Sequence, residues 1–189
     1  MKSPIILGTF VALWFVGILV GFYHWEQYEA TPGAVGTLPE AVESVPPGCW
    51  RLLFFAHPHC PCTRNGLSEL AAIQRSYPAL VVHIYFVLPP GVTAGWEQGR
   101  NWNSATQIPG VAVDIDQGGM MAHRYGAETS GFSVLIAPNG SIVFRGGLTP
   151  GRGRNGDNPG RHAVQQWLDG QLAAHEAPVY GCAIFTPNE

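Results

Sequence analysis

Residues 51–64 read RLLFFAHPHCPCTR. The apolar run Leu52 to Ala56 has the composition of a short buried strand, and it stops at a turn bracketed by Pro58 and Pro61. Beyond the turn, residues 61–77 carry Leu67, Leu70, Ala71 and Ile73 at the spacing of one helix face. Pro61 suits the first helical position and places Cys60 at the N-cap, exposed, with Cys62 inside the first turn. Two thiols one residue apart would then stand at the positive end of a helix, which favours thiolate over thiol. The pattern predicts a reactive sulfur site, either redox or metal-binding.

Working outward, residues 80–88 are almost entirely apolar, β-branched or aromatic, as in a strand buried on both faces, which makes His83 a packed core histidine. Residues 89–109 form a long polar connection with a short helix around 96–104, in which Trp96 and Trp102 serve packing before any partner groove. A short strand at 111–115 and a short helix at 117–125 follow. Residues 132–137 and 141–145 flank Pro138-Asn139-Gly140, a hairpin signal. The glycine-rich stretch 146–160 reads as a solvated loop whose Arg145, Arg152, Arg154 and Arg161 offer an anion or acidic partner a site. Asn158 is placed to cap a last helix bearing Ala163, Val164, Trp167, Leu168 and Leu172. The order β-α-β-(α)-β-α-β-β-α predicts an α/β domain with one central mixed sheet flanked by helices.

The 189-residue chain also has room for an appendage. Residues 5–23 contain no charge, close to the ~20 residues of a membrane span. Lys2 precedes the stretch and Glu26 and Glu29 follow it, so the positive-inside rule exports everything after Tyr23. The apolar stretch exceeds a usual signal h-region, which favours an uncleaved anchor over a signal peptide cut near Ala30. The expected organisation is a membrane anchor over 1–28, a Pro/Gly-rich linker over 29–48, a folded domain over 49–175 and a tail over 176–189 that carries Cys182. That makes a single-pass cell-membrane protein with its domain on the extracytoplasmic, periplasmic side. A net charge of −3 argues against a nucleic-acid partner.

The element order, with cysteines at the first strand-to-helix turn, resembles the thioredoxin-like superfamily, above all its membrane-tethered TlpA/ResA-type branch. Asp116, Gly119, Ala122 and Tyr125-Gly126-Ala127, followed by a strand, Pro138-Asn139-Gly140 and another strand, match that branch's pattern. The Cys-Pro-Cys site, the Gly146–Asn158 segment and Gly181-Cys182 are also similar to exported RedB-type redoxins. The resemblance implies a thioredoxin-like fold preceded by one N-terminal transmembrane helix, and a thiol–disulfide oxidoreductase acting on a protein thiol or disulfide partner, with no cofactor. Aligned through Ala56 and Pro61-Cys62, the family's exposed attacking cysteine falls on His59. Gly131 falls where the family has its cis-proline, and Ser130-Gly131, with Pro61, would face the partner.

In the exchange reading, Cys60 attacks, Cys62 or Cys182 resolves the mixed disulfide, and His57 and His59 stabilise the thiolate as imidazolium or move its proton. A Cys49–Cys182 disulfide tying the tail to the start of the domain is the alternative for Cys182. The alternative for the whole site is a metal centre: Cys60, Cys62, His59 and His123 offer sulfur and imidazole to copper or zinc, in the manner of Sco-type metallochaperones.

Overall fold

In the computed structural model, described over residues 3–38, 48–93 and 95–186, the chain forms two compact units, 1–31 and 32–189. The first is a single helix, α1 (Ser3–Ala30). Residues Ile6–Ala30, with mean hydropathy 2.2, are long and apolar enough to cross a membrane. The helix therefore runs past the predicted anchor boundary at residue 28.

The second unit holds strands β1 (Arg51–Ala56), β2 (Val81–Leu88), β3 (Val111–Gln117), β4 (Phe132–Ile136) and β5 (Ile142–Gly146). Helices α2 (Thr63–Ser76), α3 (Arg100–Thr106), α4 (Met120–Arg124) and α5 (Pro159–Leu168) connect and cover them. The sheet order is β3-β2-β1-β4-β5. β1 lies between β2, which runs parallel to it, and β4, which runs antiparallel. The mixed sheet flanked by helices is the architecture expected from the element order.

Alternation along β1 builds two cores. Leu52, Phe54 and Ala56 pack with Leu67, Leu70 and Ile73 of α2 and Ala163 and Val164 of α5. Gly66 lets α2 approach closely, because a β-carbon there would stand 2.8 Å from the Phe54 ring. On the other face Leu53 and Phe55 meet Ala122, Tyr125, Phe132, Val179 and Ile184. The last two belong to the segment 176–189, expected to be a tail outside the folded domain. The buried Asp116 carboxylate accepts the N–H groups of Met121 (2.9 Å) and Ala122 (2.8 Å) and so starts α4. Asn158 caps α5 by accepting the Arg161 N–H at 2.7 Å, with Pro159 at the first helical position.

Four expectations change. Residues 32–38 are laid against the domain, not spaced from it: Gly33 N–H donates to Val179 O (2.8 Å) and Gly36 N–H to Gly126 O (2.9 Å). The rest of the predicted linker, 39–47, lies outside the described residues. Residues 176–186 are integral to the fold, bridging Glu176 to Arg145 and Ala183 to Thr129 as added strand-like pieces. β2 alternates over its first half, since short α4 covers only the far end of that face. His83 is accordingly half-exposed, stacked on Tyr85 and 2.5 Å from Asp114. The glycine-rich loop is also anchored: Leu148, Thr149 and Asn158 are buried, and buried Glu69 holds Arg161 (2.7 Å) and the Gly156 N–H (3.2 Å).

Candidate active site

The Cys-Pro-Cys turn winds once more before α2 begins. Cys60 N–H donates to His57 O (3.2 Å) and Thr63 N–H to Cys60 O (3.2 Å), so α2 starts at Thr63 with Cys62 at its N-cap. The helix starts two residues later than predicted, and Cys60 is not the cap. The extra winding turns the Cys60 side chain inward. Cys60 is fully buried, against the expectation of an exposed nucleophile, while Cys62 and Cys182 are half-buried and His59 and Pro61 are exposed. The position that aligns with the family's attacking cysteine thus keeps its exposure but holds a histidine.

Three sulfurs meet here. Cys182 N–H donates to Cys60 Sγ at 3.3 Å, across 122 positions of sequence. The Cys182 and Cys62 thiols both donate to the Cys60 sulfur, which holds its pKa far below the ordinary thiol value against the opposing cost of burial. The same donation holds the Cys62 and Cys182 protons in place, so both thiols are pushed far up, with burial adding to the effect. The physical picture is one thiolate on Cys60 solvated by two S–H groups. The cause is this sulfur cluster, where the sequence pointed to a helix dipole.

All four cysteines are free thiols. The Cys49–Cys182 alternative fails on geometry: Cys49 precedes β1, its neighbour Gly48 is bonded to Pro138 O at 3.0 Å, and Cys182 lies beyond the other end of the strand. Six strand residues separate the two by roughly 20 Å.

A ring of side chains fixes the turn. His57 N–H donates to Ser130 Oγ (2.8 Å), the Ser130 and Thr63 hydroxyls are 2.7 Å apart, and Thr63 Oγ1 donates to His57 O (3.2 Å). With Thr63 donating to the carbonyl, Ser130 must be the donor between the two hydroxyls, so every group in the ring is satisfied. Gly131 N–H donates to Phe55 O (2.8 Å) with φ +94°, so the loop aligned with the family's cis-proline is held by a backbone bond that proline could not make. Buried Asn101, on α3, donates from Nδ2 to both Pro58 O (2.8 Å) and Cys60 O (2.9 Å).

His57 does not act as predicted. It is fully buried, and burial pushes its pKa down. Its Nδ1 receives the His59 backbone N–H at 3.2 Å, so the ring proton sits on Nε2 and is donated to Thr186 O at 3.0 Å. That is a neutral imidazole bridging the turn to residue 186, not an imidazolium. His59 is bonded through Nε2 to Trp96 O (2.7 Å), and its ring packs edge-on against the indole at 4.5 Å. Trp102 packs on Phe86 in the core.

For the metal alternative, His123 is stacked on Phe185 at 4.0 Å. Among the described residues, no three His, Cys, Asp or Glu side chains take a metal-holding arrangement, the three hydrogen-bonded sulfurs included.

Asn101 and Thr63 were missed in the sequence, and Arg152 was read only as one of four loop arginines open to an anion or acidic partner. The Arg152 guanidinium donates to Gly181 O, and its charge favours the thiolate forms of Cys62 and Cys182. A legible signal existed for the docking of Cys182: Gly181 directly precedes it, and a β-carbon at 181 would stand only 2.0 Å from Ser130 O.

No family model and no curated protein matches the sequence. Among solved structures, an uncharacterised conserved protein from Geobacillus kaustophilus superposes with TM-score 0.60 at 18% identity, over 85% of this chain and 92% of its own. A hypothetical protein from Sinorhizobium meliloti gives TM-score 0.62 at 18% identity, over 86% of this chain and all of its own. A thioredoxin-like protein from Aeropyrum pernix gives 0.47 at 12% identity, over 84% of this chain and 99% of its own. At such identities the likeness is one of fold. With β1 between a parallel and an antiparallel neighbour, and the cysteines at its end, the domain has the thioredoxin-like fold.

Proposed function

We propose that the protein is a membrane-anchored, extracytoplasmic thiol–disulfide oxidoreductase that acts on protein disulfides through Cys60. The observation that carries the reading is the meeting of three thiols at the turn: Cys60 Sγ takes the Cys182 N–H at 3.3 Å and has the Cys62 and Cys182 side chains as hydrogen-bond partners, which favours its thiolate. In the reducing direction a thiolate of the cluster attacks a partner disulfide, and one partner sulfur leaves as thiolate. A second cysteine of the cluster then attacks the mixed disulfide, the other partner sulfur leaves, and two electrons have passed to the partner while one disulfide closes on Cys60. His59, the exposed histidine of the turn, carries the proton, and neutral His57 positions the turn. Ser130-Gly131 forms the facing wall. The apolar helix Ile6–Ala30 supports the membrane placement.

The test is reduction of insulin disulfides by the full chain in detergent micelles with dithiothreitol as electron source, alongside metal analysis of the same sample. Cys60→Ser is expected to abolish turnover. Turnover that survives the substitution, or stoichiometric copper or zinc that shields the half-buried Cys62 from alkylation until a chelator removes it, refutes the reading in favour of a metal-binding protein.

A further inference from the structure

Cys60 has no exposed surface, so a folded partner has no direct path to it. What covers it is the segment 181–186, threaded past the turn as an extra strand. Ser130 N–H donates to Cys182 O (2.9 Å), Ile184 N–H donates to Glu128 O (2.9 Å), and Thr129 and Ala183 form an antiparallel bridge between those bonds. Gly181 lies against Ser130 O, and His57 holds Thr186 O. The segment thus presents a cysteine to Cys60 by backbone pairing, as an extended peptide substrate would be presented.

The two flanking sulfurs differ in what lies outside them. Cys62 is fixed at the start of α2, and the Gly153 N–H is directed at its sulfur from the glycine-rich loop. Half-buried Cys182 instead sits between Gly181 and Ala183, two residues that line a cleft of about 440 Å³ along the segment; Thr129, Arg152, Phe185 and Thr186 also line the cleft, and the 182 side chain itself does not.

From this geometry we infer that Cys182 is the partner-facing sulfur: protein thiols and disulfides exchange with Cys182, and Cys182 exchanges with Cys60. The inference rests on the oxidoreductase reading and assigns its order of events. Starting from a Cys60–Cys62 disulfide, the Cys182 thiolate attacks Cys60 Sγ, the Cys60–Cys182 bond forms, and Cys62 leaves as thiolate and takes up the proton lost by Cys182. A partner thiolate then attacks Cys182 Sγ, the half-exposed sulfur of the new disulfide. Cys60 departs as the leaving group, its sulfur facing the Cys182 backbone N–H at 3.3 Å and the Cys62 thiol, both still able to donate to it. A second partner thiolate displaces Cys182 from the mixed disulfide. The partner dithiol has become a disulfide and the protein has gained two electrons; run backwards, the same steps reduce a partner disulfide.

The experiment uses the full chain in detergent micelles with Cys49→Ser to remove the distant thiol. Mild oxidation followed by peptide mapping should give both Cys60–Cys62 and Cys60–Cys182 disulfides, and Cys62→Ser should drive the population to Cys60–Cys182. In insulin reduction, Cys182→Ser should lower the rate at least tenfold while leaving the Cys60–Cys62 disulfide able to form. Gly181→Val keeps the thiol but removes the space against Ser130. It should leave Cys60 open to alkylation in the reduced protein, where the parent is protected. If no Cys60–Cys182 disulfide forms, or if Cys182→Ser turns over insulin within twofold of the parent, the relay is wrong. Loss of activity in Cys60→Ser with full activity in Cys182→Ser would overturn the relay alone; full activity in Cys60→Ser would overturn the oxidoreductase reading beneath it.

Discussion

Replacing Asn101 isolates the contribution of α3 to the sulfur site. Its amide donates to two carbonyls of the turn, those of Pro58 and Cys60, from a side chain that is 6% exposed. Asn101→Ala removes both bonds. The Cys60 carbonyl retains the Thr63 N–H at 3.2 Å, whereas among the described residues no other donor reaches the Pro58 carbonyl. A lost neutral hydrogen bond costs about 1 kcal/mol and a buried acceptor left without a donor about 1–3 kcal/mol, which together give about 2–4 kcal/mol. For a domain of this size that lowers Tm by roughly 5–15 °C. The measurement is urea unfolding of the full chain in detergent, followed by tryptophan fluorescence, with an unchanged denaturant slope marking a stability change alone. Asn101→Asp is the control that keeps the shape and reverses the chemistry, because a carboxylate facing two carbonyls has nothing to donate. It should be at least as destabilising as alanine. An alanine variant within about 0.5 kcal/mol of the parent, the usual range of surface substitutions, or an aspartate variant equal to the parent refutes the staple.

The pH behaviour of the sulfurs is testable in the Cys49→Ser background by ultraviolet thiolate absorbance: one thiolate equivalent should persist well below the ordinary thiol range and vanish in Cys60→Ser, with the other two protons leaving above that range. A parent that shows no thiolate at neutral pH contradicts the cluster. His57 gives a stability window. Its folded pKa is depressed below 6.5, so between the two values the unfolded chain binds the proton and the native one does not, and stability falls as pH falls through that window. The slope from this group approaches about 1.4 kcal/mol per pH unit, and His57→Gln should flatten it by that amount; identical pH profiles would show that His57 is charged in the native protein. Glu69→Ala leaves Arg161 and the Gly156 N–H without their acceptor. Because Arg161 is a quarter exposed, the loss should be about 2–3 kcal/mol, under the full penalty for breaking a buried pair, with faster proteolysis at 151–157. A loop cut no faster than in the parent would mean that Glu69 does not anchor it.

What was legible in the sequence was local. Pro138-Asn139-Gly140 makes a hairpin through Gly140 at φ +87°, and Asn158 followed by Pro159 starts a helix, because each motif contains both partners of its own interaction. The apolar runs of β1 and β2 and the apolar face of α2 carried the element order and the mixed sheet for the same reason, while the strand order β3-β2-β1-β4-β5 came from the structure. The site was half legible. Cys60 and Cys62 announce themselves as a pair, but the third sulfur arrives from 122 residues away, and no spacing rule connects them. Burial of Cys60 depends on residues 181–186 and on one extra turn of chain, neither of which periodicity reports. His83 misled for a related reason: an apolar strand implies two covered faces, and only the length of α4 reveals that one face is left partly open.

The burial of Cys60 also bears on chemical wear. A low-pKa thiolate is ordinarily the sulfur most open to peroxide and to the irreversible sulfinic and sulfonic acids. Here that thiolate has no exposed surface, and both its neighbours are thiols. Any sulfenic acid formed on Cys60 is met at once by Cys62 or Cys182, which condenses with it to a disulfide and expels water. Oxidant stress would therefore stop at a state that thiols can reverse, and the arrangement that restricts access to the reactive sulfur would also set the limit of its damage.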